Sequence, residues 1–502
     1  MSKNYQRIFA QRKQSVEQRL ENPPRTGGYE IPVITGSNIH LDISERCGAI
    51  SFGGLGLIHT MVNQLGLREE IDDRLELLKR HLPYHESDHV LNIAYNIIMG
   101  GTRLEDIELR RNDECFLDAI GADRIPDPTT TGDFTRRFAT NDIHELMDII
   151  NTCRQRVWEQ QPQGFLEMAY IDGDGTMAST FGECKEGMAL SYKGTWGYHP
   201  LLITLANTKE VLYVVNRPGN VTSSEGAAEW FDRAIDLVTP HAGSICLRGD
   251  TDFSQTKHLD RWNDAGVKFI FGYDAMPNLK EEAESLPAKA WEELKRKPKY
   301  EIQTKERRKP ERHKEKVVEE KGYKNIKLKG EDIAEFDYQP GSCDKPYRMI
   351  VVRKNLTIKK GEEALIDDIR YFFYITNRQD LSKEEIVGLA NQRCDQENIV
   401  EQSKNGVHAM NLPVDNVESN WAYMVMALLA WNLKAWVGLL MPDREKGNEI
   451  MKMEYRTFLQ NIIQIPTQII KTGRKIVYRF LSWNRWMTNI FDGWERIRVL
   501  KV

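Results

Sequence analysis

The stretch FLEMAYIDGDGTMAST, residues 165–180, marks the change from helical to β character along this sequence. An apolar run leads directly into two carboxylates, Asp172 and Asp174, which is the pattern of a strand that ends in a turn. The next apolar stretch, HPLLITLANTKEVLYVVNRPG at residues 199–219, predicts two further strands around Asn207. Three strands in succession begin a sheet.

Downstream of these strands the pattern alternates between helix and strand. The predicted elements are a helix over Ser224–Val238, a strand over Ser244–Gly249, a helix over Gln255–Ala265 and a strand over Val267–Tyr273. Strands followed by alternating β and α elements predict an α/β domain with a mixed sheet.

The regions on either side have a helical period. Between residues 50 and 160, apolar residues recur at helical spacing in IHTMVNQLGL, DHVLNIAYNIIMGG and DIHELMDIINTCRQRVW. Residues 1–40 are polar, and no regular element is predicted there. A capping box from Ser382 to Glu385 predicts a helix that runs past Gln402, and the remainder of the chain reads as helical and tryptophan-rich.

Composition excludes several classes of protein. The chain has 502 residues and a net charge of −5, which excludes a uniformly basic nucleic-acid-coating protein but not local basic patches. Its seven cysteines are odd in number and form no CxxC pair, which favours a reducing, cytoplasmic location.

The N-terminal residues lack the apolar core of a signal peptide. Trp421–Met441 is long and apolar, but Asn432 and Lys434 favour a buried helix over a membrane span.

One segment departs strongly from the acidic average. Residues 295–329 contain fifteen Lys or Arg and six Glu, a local net charge of +9. Clustered Lys and Arg are typical of contact with the DNA backbone, although many charge runs are simply solvated loops. Both interpretations remain open from this feature alone.

Acidic residues stand at the ends of predicted elements in three places. Asp174 and Asp250 each follow an apolar strand, and Glu397 lies on the capped helix. A continuous helix would place Glu397 on one face with Arg393 and Lys404. Carboxylates that converge from two strand ends and a helix suit two-metal phosphoryl transfer, in which hard oxygen ligands hold two Mg²⁺ ions.

A second enzyme class shares part of this pattern. An apolar strand followed by Asp-x-Asp-x-Thr also opens the haloacid-dehalogenase-type phosphatases, with the first Asp as nucleophile and the second as acid/base. Here those residues would be Asp172 and Asp174, and Gly249-Asp250 would imitate the magnesium motif. The short stretch between the motifs disfavours that class, because two strands and one helix do not make its α/β core.

Motifs spread over most of the chain resemble those of bacterial insertion-sequence DDE transposases, most closely insertion-sequence family 1380, which is related to the family 4 group. The matching residues are Ser51–Leu57, Leu109–Asp113, Pro128–Thr131 through Arg137-Phe138, Asp174-Gly175-Thr176, Gly197–Leu201, Arg248-Gly249-Asp250, Tyr374–Arg378 and Arg393-x3-Glu397-x6-Lys404. The signature tyrosine of the wider group is replaced by Ala390, which removes a side chain expected near a DNA phosphate.

The resemblance implies a role for each site residue. Asp174, Asp250 and Glu397 would be catalytic and would bind a pair of Mg²⁺ ions, which Mn²⁺ can replace, with Asp172 as the fallback for the first ligand. Arg393 and Lys404 would hold phosphates. DNA contact by the basic segment would involve Lys295, Arg296, Lys297, Arg307, Arg308 and Lys309. Trp291 is a candidate for stacking on a flipped base.

The resemblance also implies a fold, an RNase H-like α/β core with a mixed sheet. The predicted divisions are a flexible segment at 1–40, a helical DNA-binding domain at 41–162, the first part of the core at 163–275, a basic, β-rich insertion at 276–366, the second part of the core at 367–440, and a helical region at 441–502.

The expected activity is cut-and-paste DNA transposition. The protein would bind terminal inverted repeats, cleave DNA strands and transfer them to target DNA, as a homodimer and without a membrane. A catalytically inactive DNA-binding derivative is the alternative outside the enzymes.

Packing is the favoured role for His199 and for the tryptophans of the C-terminal region, Trp421, Trp431, Trp436, Trp483, Trp486 and Trp494.

Overall fold

A nine-stranded mixed sheet organises the chain, which we describe from a computed structural model. The structure describes residues 3–21, 39–43, 47–81, 83–180, 182, 185–191, 193–296, 317, 321, 324–360, 363–473 and 475–500. The strand order in the sheet is β10-β11-β12-β13-β9-β8-β2-β6-β7. Its strands are β2 (Leu166–Gly175), β6 (Leu201–Leu205), β7 (Glu210–Val215), β8 (Ala242–Gly249), β9 (Lys268–Tyr273), β10 (Glu292–Glu293), β11 (Lys324–Tyr338), β12 (Tyr347–Lys360) and β13 (Glu363–Thr376).

The predicted mixed α/β sheet is confirmed, and it is wider than the sequence suggested. β2, β8 and β9 run parallel to one another, whereas the remaining neighbours are antiparallel. β13 pairs with β9 through Phe373 and Tyr273, so the strands of the predicted insertion extend the same sheet. A second, three-stranded sheet, β3 (Ala178–Ser179), β4 (Ala189–Leu190) and β5 (Trp196–Tyr198), follows the end of β2.

Helices precede the sheet in the chain. They are α1 (Lys3–Glu21), α2 (Leu55–Gln64), α3 (Leu67–Arg74), α4 (Glu86–Ile98), α5 (Ile107–Arg111), α6 (Glu114–Ile120), α7 (Pro128–Thr135) and α8 (Thr140–Glu159). The helix α1 lies where the sequence predicts no regular element. Tyr5 and Phe9 are four residues apart on it, and both rings contact Phe491 with centroids 5.2 Å away.

Helices also connect and follow the strands. They are α9 (Ala227–Val238), α10 (Leu259–Asp264), α11 (Pro277–Ser285), α12 (Lys383–Asn391), α13 (Cys394–Glu401), α14 (Val417–Leu440), α15 (Arg444–Lys452), α16 (Tyr455–Phe458) and α17 (Met487–Ile497). Among the described residues, α14 alone is long and apolar enough to cross a membrane, and its most apolar window is entirely buried inside the protein.

Buried charges attach the N-terminal helices to the sheet. The carboxylate of Glu210 on β7 accepts hydrogen bonds from Arg154 (2.9 Å) and Trp158 (2.9 Å) of α8 and from Trp436 (2.7 Å) of α14. Arg154 and Glu210 are fully buried, so each needs the other to satisfy its charge. This network fixes α8 and α14 on the same side of β7.

The C-terminal region is not wholly helical, which corrects the prediction for residues 441–502. Thr467–Thr472 (β14) and Lys475–Phe480 (β15) form a hairpin, and β14 pairs with β1 (Gly48–Ile50). The backbone approaches so closely here that a β-carbon on Gly53 would lie 1.8 Å from the hydroxyl of Thr467. The partner of this hairpin lies more than four hundred residues away in the sequence, so local patterns could not reveal it.

Candidate active site

Two of the predicted carboxylates leave the sheet side by side. β2 and β8 are parallel, and their register places Asp172 opposite Arg248. Asp174 and Asp250 each follow two residues later, at the carboxyl ends of their strands. The carboxyl ends of parallel strands form one edge of a sheet, which is where α/β proteins place their ligands.

Glu397 reaches the same edge from a helix. A cleft of about 400 Å³ is lined by Asp250, Tyr374, Arg393 and Glu397, together with other residues of β9 and β13. The prediction of one continuous helix through these residues is wrong. α12 ends at Asn391, α13 begins at Cys394, and a π-helical turn over Gln402–Gly406 follows.

The electrostatics of Asp174 show that the carboxylates act on one another. Burial raises the pKa of Asp174 to about 6, Arg393 opposes that increase, and the negative charges of Asp250 and Glu397 add to it. Burial also raises the pKa of Asp250, again against the effect of Arg393.

Two cations accompany these carboxylates. Arg393 Nη2 lies 3.8 Å from Asp250 Oδ2. Burial lowers the pKa of Lys404, and the charges of Glu401 and Asp174 oppose that decrease. The interrupted helix therefore still brings Arg393 and Lys404 to the carboxylates, by a turn at each end of α13 rather than by one regular face.

Asp172 occupies a different environment, although it is only two residues from Asp174. Its carboxylate accepts two hydrogen bonds from Arg248, at 2.6 and 2.8 Å, and both side chains are almost fully buried. Arg248 Nη1 also donates to the carbonyl of Leu389 on α12. This pair fills the space between sheet and helix, so Asp172 is unsuited to be the fallback ligand. It is equally unsuited to be the exposed nucleophile of a phosphatase.

His199 borders the site, where the sequence favoured a packing role. Its Nδ1 donates to the carbonyl of Val221 at 3.0 Å, and a β-carbon on Gly175 would lie 3.1 Å from its Nε2. Arg217 donates to the carbonyls of His199, Ser223 and Glu225 and so holds the surrounding loop. The turn Gly197-Tyr198-His199-Pro200 was the available signal, but its proximity to Gly175 depends on the pairing of β2 with β6.

The basic segment is described only at its ends. Arg296 donates to both oxygens of Glu331, at 2.5 and 2.7 Å, and Lys295 lies 3.7 Å from Glu293. These ion pairs hold the start of the segment against β10 and β11. The other predicted contacts, Lys297, Arg307, Arg308 and Lys309, lie outside the described residues.

Most of the tryptophans pack in the interior. Trp421, Trp431, Trp436 and Trp486 are buried and Trp483 is partly buried, as predicted, whereas Trp494 is 38% exposed. Trp291 is half-buried, and the guanidinium of Arg353 lies 4.2 Å from its ring centroid. One face of this indole is therefore already stacked within the protein.

The chemistry of the donors suits a hard divalent cation, because Asp174, Asp250 and Glu397 offer only carboxylate oxygens. Across the described ranges, no three His, Cys, Asp or Glu side chains are gathered closely enough to form a ready cation site. The positive charge nearest to Asp250 in the structure is that of Arg393. Closure of the three carboxylates around a cation would require a local adjustment of side chains.

Comparison with known protein families identifies the class of this chain. Residues 35–502 match the family described as transposase DDE domain, group 1. Among solved structures, the chain is similar to the piggyBac transposase synaptic complex with hairpin DNA, with a TM-score of 0.35 and 11% sequence identity over 91% of this chain and 89% of that one. No curated protein matches the sequence.

Proposed function

We propose, because the chain belongs to the group 1 family of transposase DDE domains, that it moves an insertion sequence by cut-and-paste transposition. The observation that carries this proposal is that Asp250 and Glu397 line one cleft, while Asp174 lies at the same edge of the sheet, at the end of the neighbouring parallel strand. The DNA substrate would be the inverted-repeat ends of the element and a target duplex, and two copies of the chain would pair the ends. Membership of insertion-sequence family 1380 is part of the proposal.

The fold that we propose for the core is RNase H-like. Its support is the strand order β7-β6-β2-β8-β9, in which three antiparallel strands continue into parallel ones. The core would comprise residues 163–275 and 367–440, interrupted by the insertion at 276–366. Residues 41–162 would be the DNA-binding domain.

Each residue of the site has a part in the proposed reaction. Asp174, Asp250 and Glu397 would hold two Mg²⁺ ions. When bound, such ions activate the attacking oxygen and stabilise the leaving one. Arg393 would move from Asp250 to a DNA phosphate, which its planar guanidinium can bind in a bidentate manner, and Lys404 would act as a point charge. Hydrolysis would free a 3′ hydroxyl, which then attacks target DNA.

A cleavage assay tests this proposal. The substrate is a supercoiled plasmid that carries the gene's own genomic flanks, incubated with Mg²⁺ and either wild type or Glu397→Ala. We expect the wild type to cut at the ends and the variant to bind them without cutting. Glu384→Ala, which changes an acidic residue in the first turn of α12, is the matched control and should cut normally.

Two results would overturn the assignment. Cleavage by Glu397→Ala at the wild-type rate would show that Glu397 is not a catalytic residue. A wild type that binds the ends without cutting them would instead identify the chain as an inactive DNA-binding derivative.

A further inference from the structure

A second polar cavity lies far from the carboxylates in the chain, among the N-terminal helices. It has a volume of about 400 Å³ and lies between the loop that follows α3 and the start of α7. We call it the basic pocket; its polar lining residues are Lys79, Arg80, Tyr84, His89, Thr130 and Arg137. Leu78 and Pro83 complete its wall.

The cations of the basic pocket have no carboxylate partner among the described residues. Within residues 47–81 and 83–180, several other arginines are paired: Arg68 with Glu69, Arg74 with Glu145, Arg111 with Glu108, Arg136 with Asp415 and Arg156 with Glu70. Lys79, Arg80 and Arg137 make no ion pair with any described residue, and all three are exposed. Three cations without an ion pair among the described residues therefore line one cavity.

A buried polar side chain also faces this cavity. His89 is 3% exposed and stacks on Phe134 with ring centroids 4.3 Å apart, yet its Nδ1 has no hydrogen-bond partner. Burial lowers the pKa of His89 to about 4, Arg137 lowers it further and Asp127 opposes the decrease. A buried nitrogen without a partner is costly, and His89 is one of the residues that line the pocket.

The nearby acidic group is already engaged. The carboxylate of Asp127 accepts hydrogen bonds from the backbone N–H of Thr130 (2.9 Å) and from its hydroxyl (2.7 Å), because Asp127 caps α7. The tyrosine of the pocket is fixed as well. Tyr84 donates to the carbonyl of Ile125, and the guanidinium of Arg124 lies 5.8 Å from its ring centroid. The pocket thus combines hydrogen-bonded polar walls with exposed cationic side chains at its rim.

We propose that the basic pocket binds a backbone phosphate of duplex DNA. Three converging cations supply the charge that phosphate requires, and contacts of this kind position a duplex without reading its sequence. The proposal rests on the proposed function, in which DNA is the substrate. Arg136, the residue before Arg137, pairs with Asp415 in the segment that follows Lys404, so this ion pair connects the chain beside the pocket to the segment beyond the active-site helix.

A salt titration tests the proposal without knowledge of the inverted repeats. A fluorescent duplex of arbitrary sequence is titrated with wild type, with Arg137→Gln and with Lys79→Gln/Arg80→Gln, over a range of KCl concentrations. Loss of one phosphate contact lowers the slope of log K against log salt by about 0.9. We expect that change for Arg137→Gln, with an affinity loss of roughly 3- to 10-fold at low salt.

The control is Arg68→Gln, which removes the same charge from an exposed arginine paired with Glu69. Its slope should equal that of the wild type. If the slope of log K against log salt is equal for Arg137→Gln, for the double variant and for the control, the proposal that the basic pocket binds phosphate is overturned. The double variant changes only exposed loop residues, so a folding defect would not obscure its result. Cleavage by the wild type tests the proposed function separately, and a pocket that fails while cleavage persists overturns this inference alone.

Discussion

Arg248 and Asp172 form a buried bidentate pair across two parallel strands, directly beneath the carboxylates of the candidate site. A third hydrogen bond from Arg248 reaches Leu389 on the helix that precedes Glu397. The guanidinium also lies 4.8 Å from the ring centroid of Tyr170. One side chain therefore connects β2, β8 and α12, and it supports both Asp174 and Glu397 indirectly.

Removal of either partner should destabilise the protein strongly. Asp172→Asn leaves the buried guanidinium without its counter-charge, which costs about 3–5 kcal/mol. Urea unfolding measures this loss. Arg261→Gln breaks the exposed pair with Asp232 and should cost less than about 1 kcal/mol. Similar losses for the two variants would contradict a structural role for Asp172.

The raised pKa of Asp174 predicts how stability changes with pH. Well below pH 3.8 the carboxyl is protonated in both the folded and the unfolded chain, and its contribution to stability is complete. That contribution is lost as the pH rises through the folded-state pKa of about 6. Without metal, Asp174→Asn should therefore exceed the wild type in stability near neutral pH by up to about 3 kcal/mol, with no such gain at pH 4. Unfolding free energies at both pH values test this, and a difference independent of pH would contradict it.

Divalent cations should reduce that difference in stability between Asp174→Asn and the wild type. Mg²⁺ or Mn²⁺ would relieve the repulsion among Asp174, Asp250 and Glu397 and stabilise the wild type by about 2.7 kcal/mol at one hundred times Kd. Thermal unfolding with and without the cation measures the gain. Glu397→Gln should show little of it, whereas Asp232→Asn should behave as the wild type. An undiminished shift in Glu397→Gln would place the cation elsewhere.

Lys434 predicts a second dependence on pH, from the core rather than the site. Burial lowers the pKa of Lys434 to about 7, and Lys209 lowers it further. Its Nζ donates to the carbonyl of Met451 at 2.9 Å and lies 3.7 Å from the ring centroid of Trp431. The folded protein releases this proton before the unfolded chain does, so stability should rise between pH 7 and 10.

Lys434→Met should abolish that rise. At pH 7 and below, the variant should be more stable than the wild type by a few kcal/mol, on the order of the desolvation cost of a buried ammonium. Thermal unfolding of both proteins from pH 6 to 10 makes the comparison. If the stability of the wild type and that of the variant change with pH in parallel, Lys434 stays charged in the core.

The sequence was informative where a pattern is local. The strands around Asn207, the buried character of α14 and the capping box at Ser382 are confirmed, because each depends on neighbouring residues. The break at Gln392 and Arg393 was not predicted, since nothing in the composition of that helix distinguishes it from a continuous one. The assignment of Asp174, Asp250 and Glu397 stays a prediction for the experiments above.

What the sequence could not supply were contacts between distant residues. Asp172 and Asp174 differ in role because Arg248, which lies 76 residues from Asp172 in the sequence, pairs with Asp172. The basic pocket depends on α7 meeting the loop after α3, and on which arginines find carboxylates elsewhere. Periodicity assigns a residue to a face of its own element, but it does not say which element will cover that face.

The pairing of β1 with β14 imposes an order on biosynthesis. Gly48 on β1 pairs with Ile469 on β14, so this pair can form only after Ile469 has left the ribosome. Nearly the whole chain must therefore be synthesised before β14 covers the edge of β1. A nascent or prematurely terminated chain exposes that strand edge, which is a template for aggregation. A chain that ends before β14 would therefore lack the strand that covers β1.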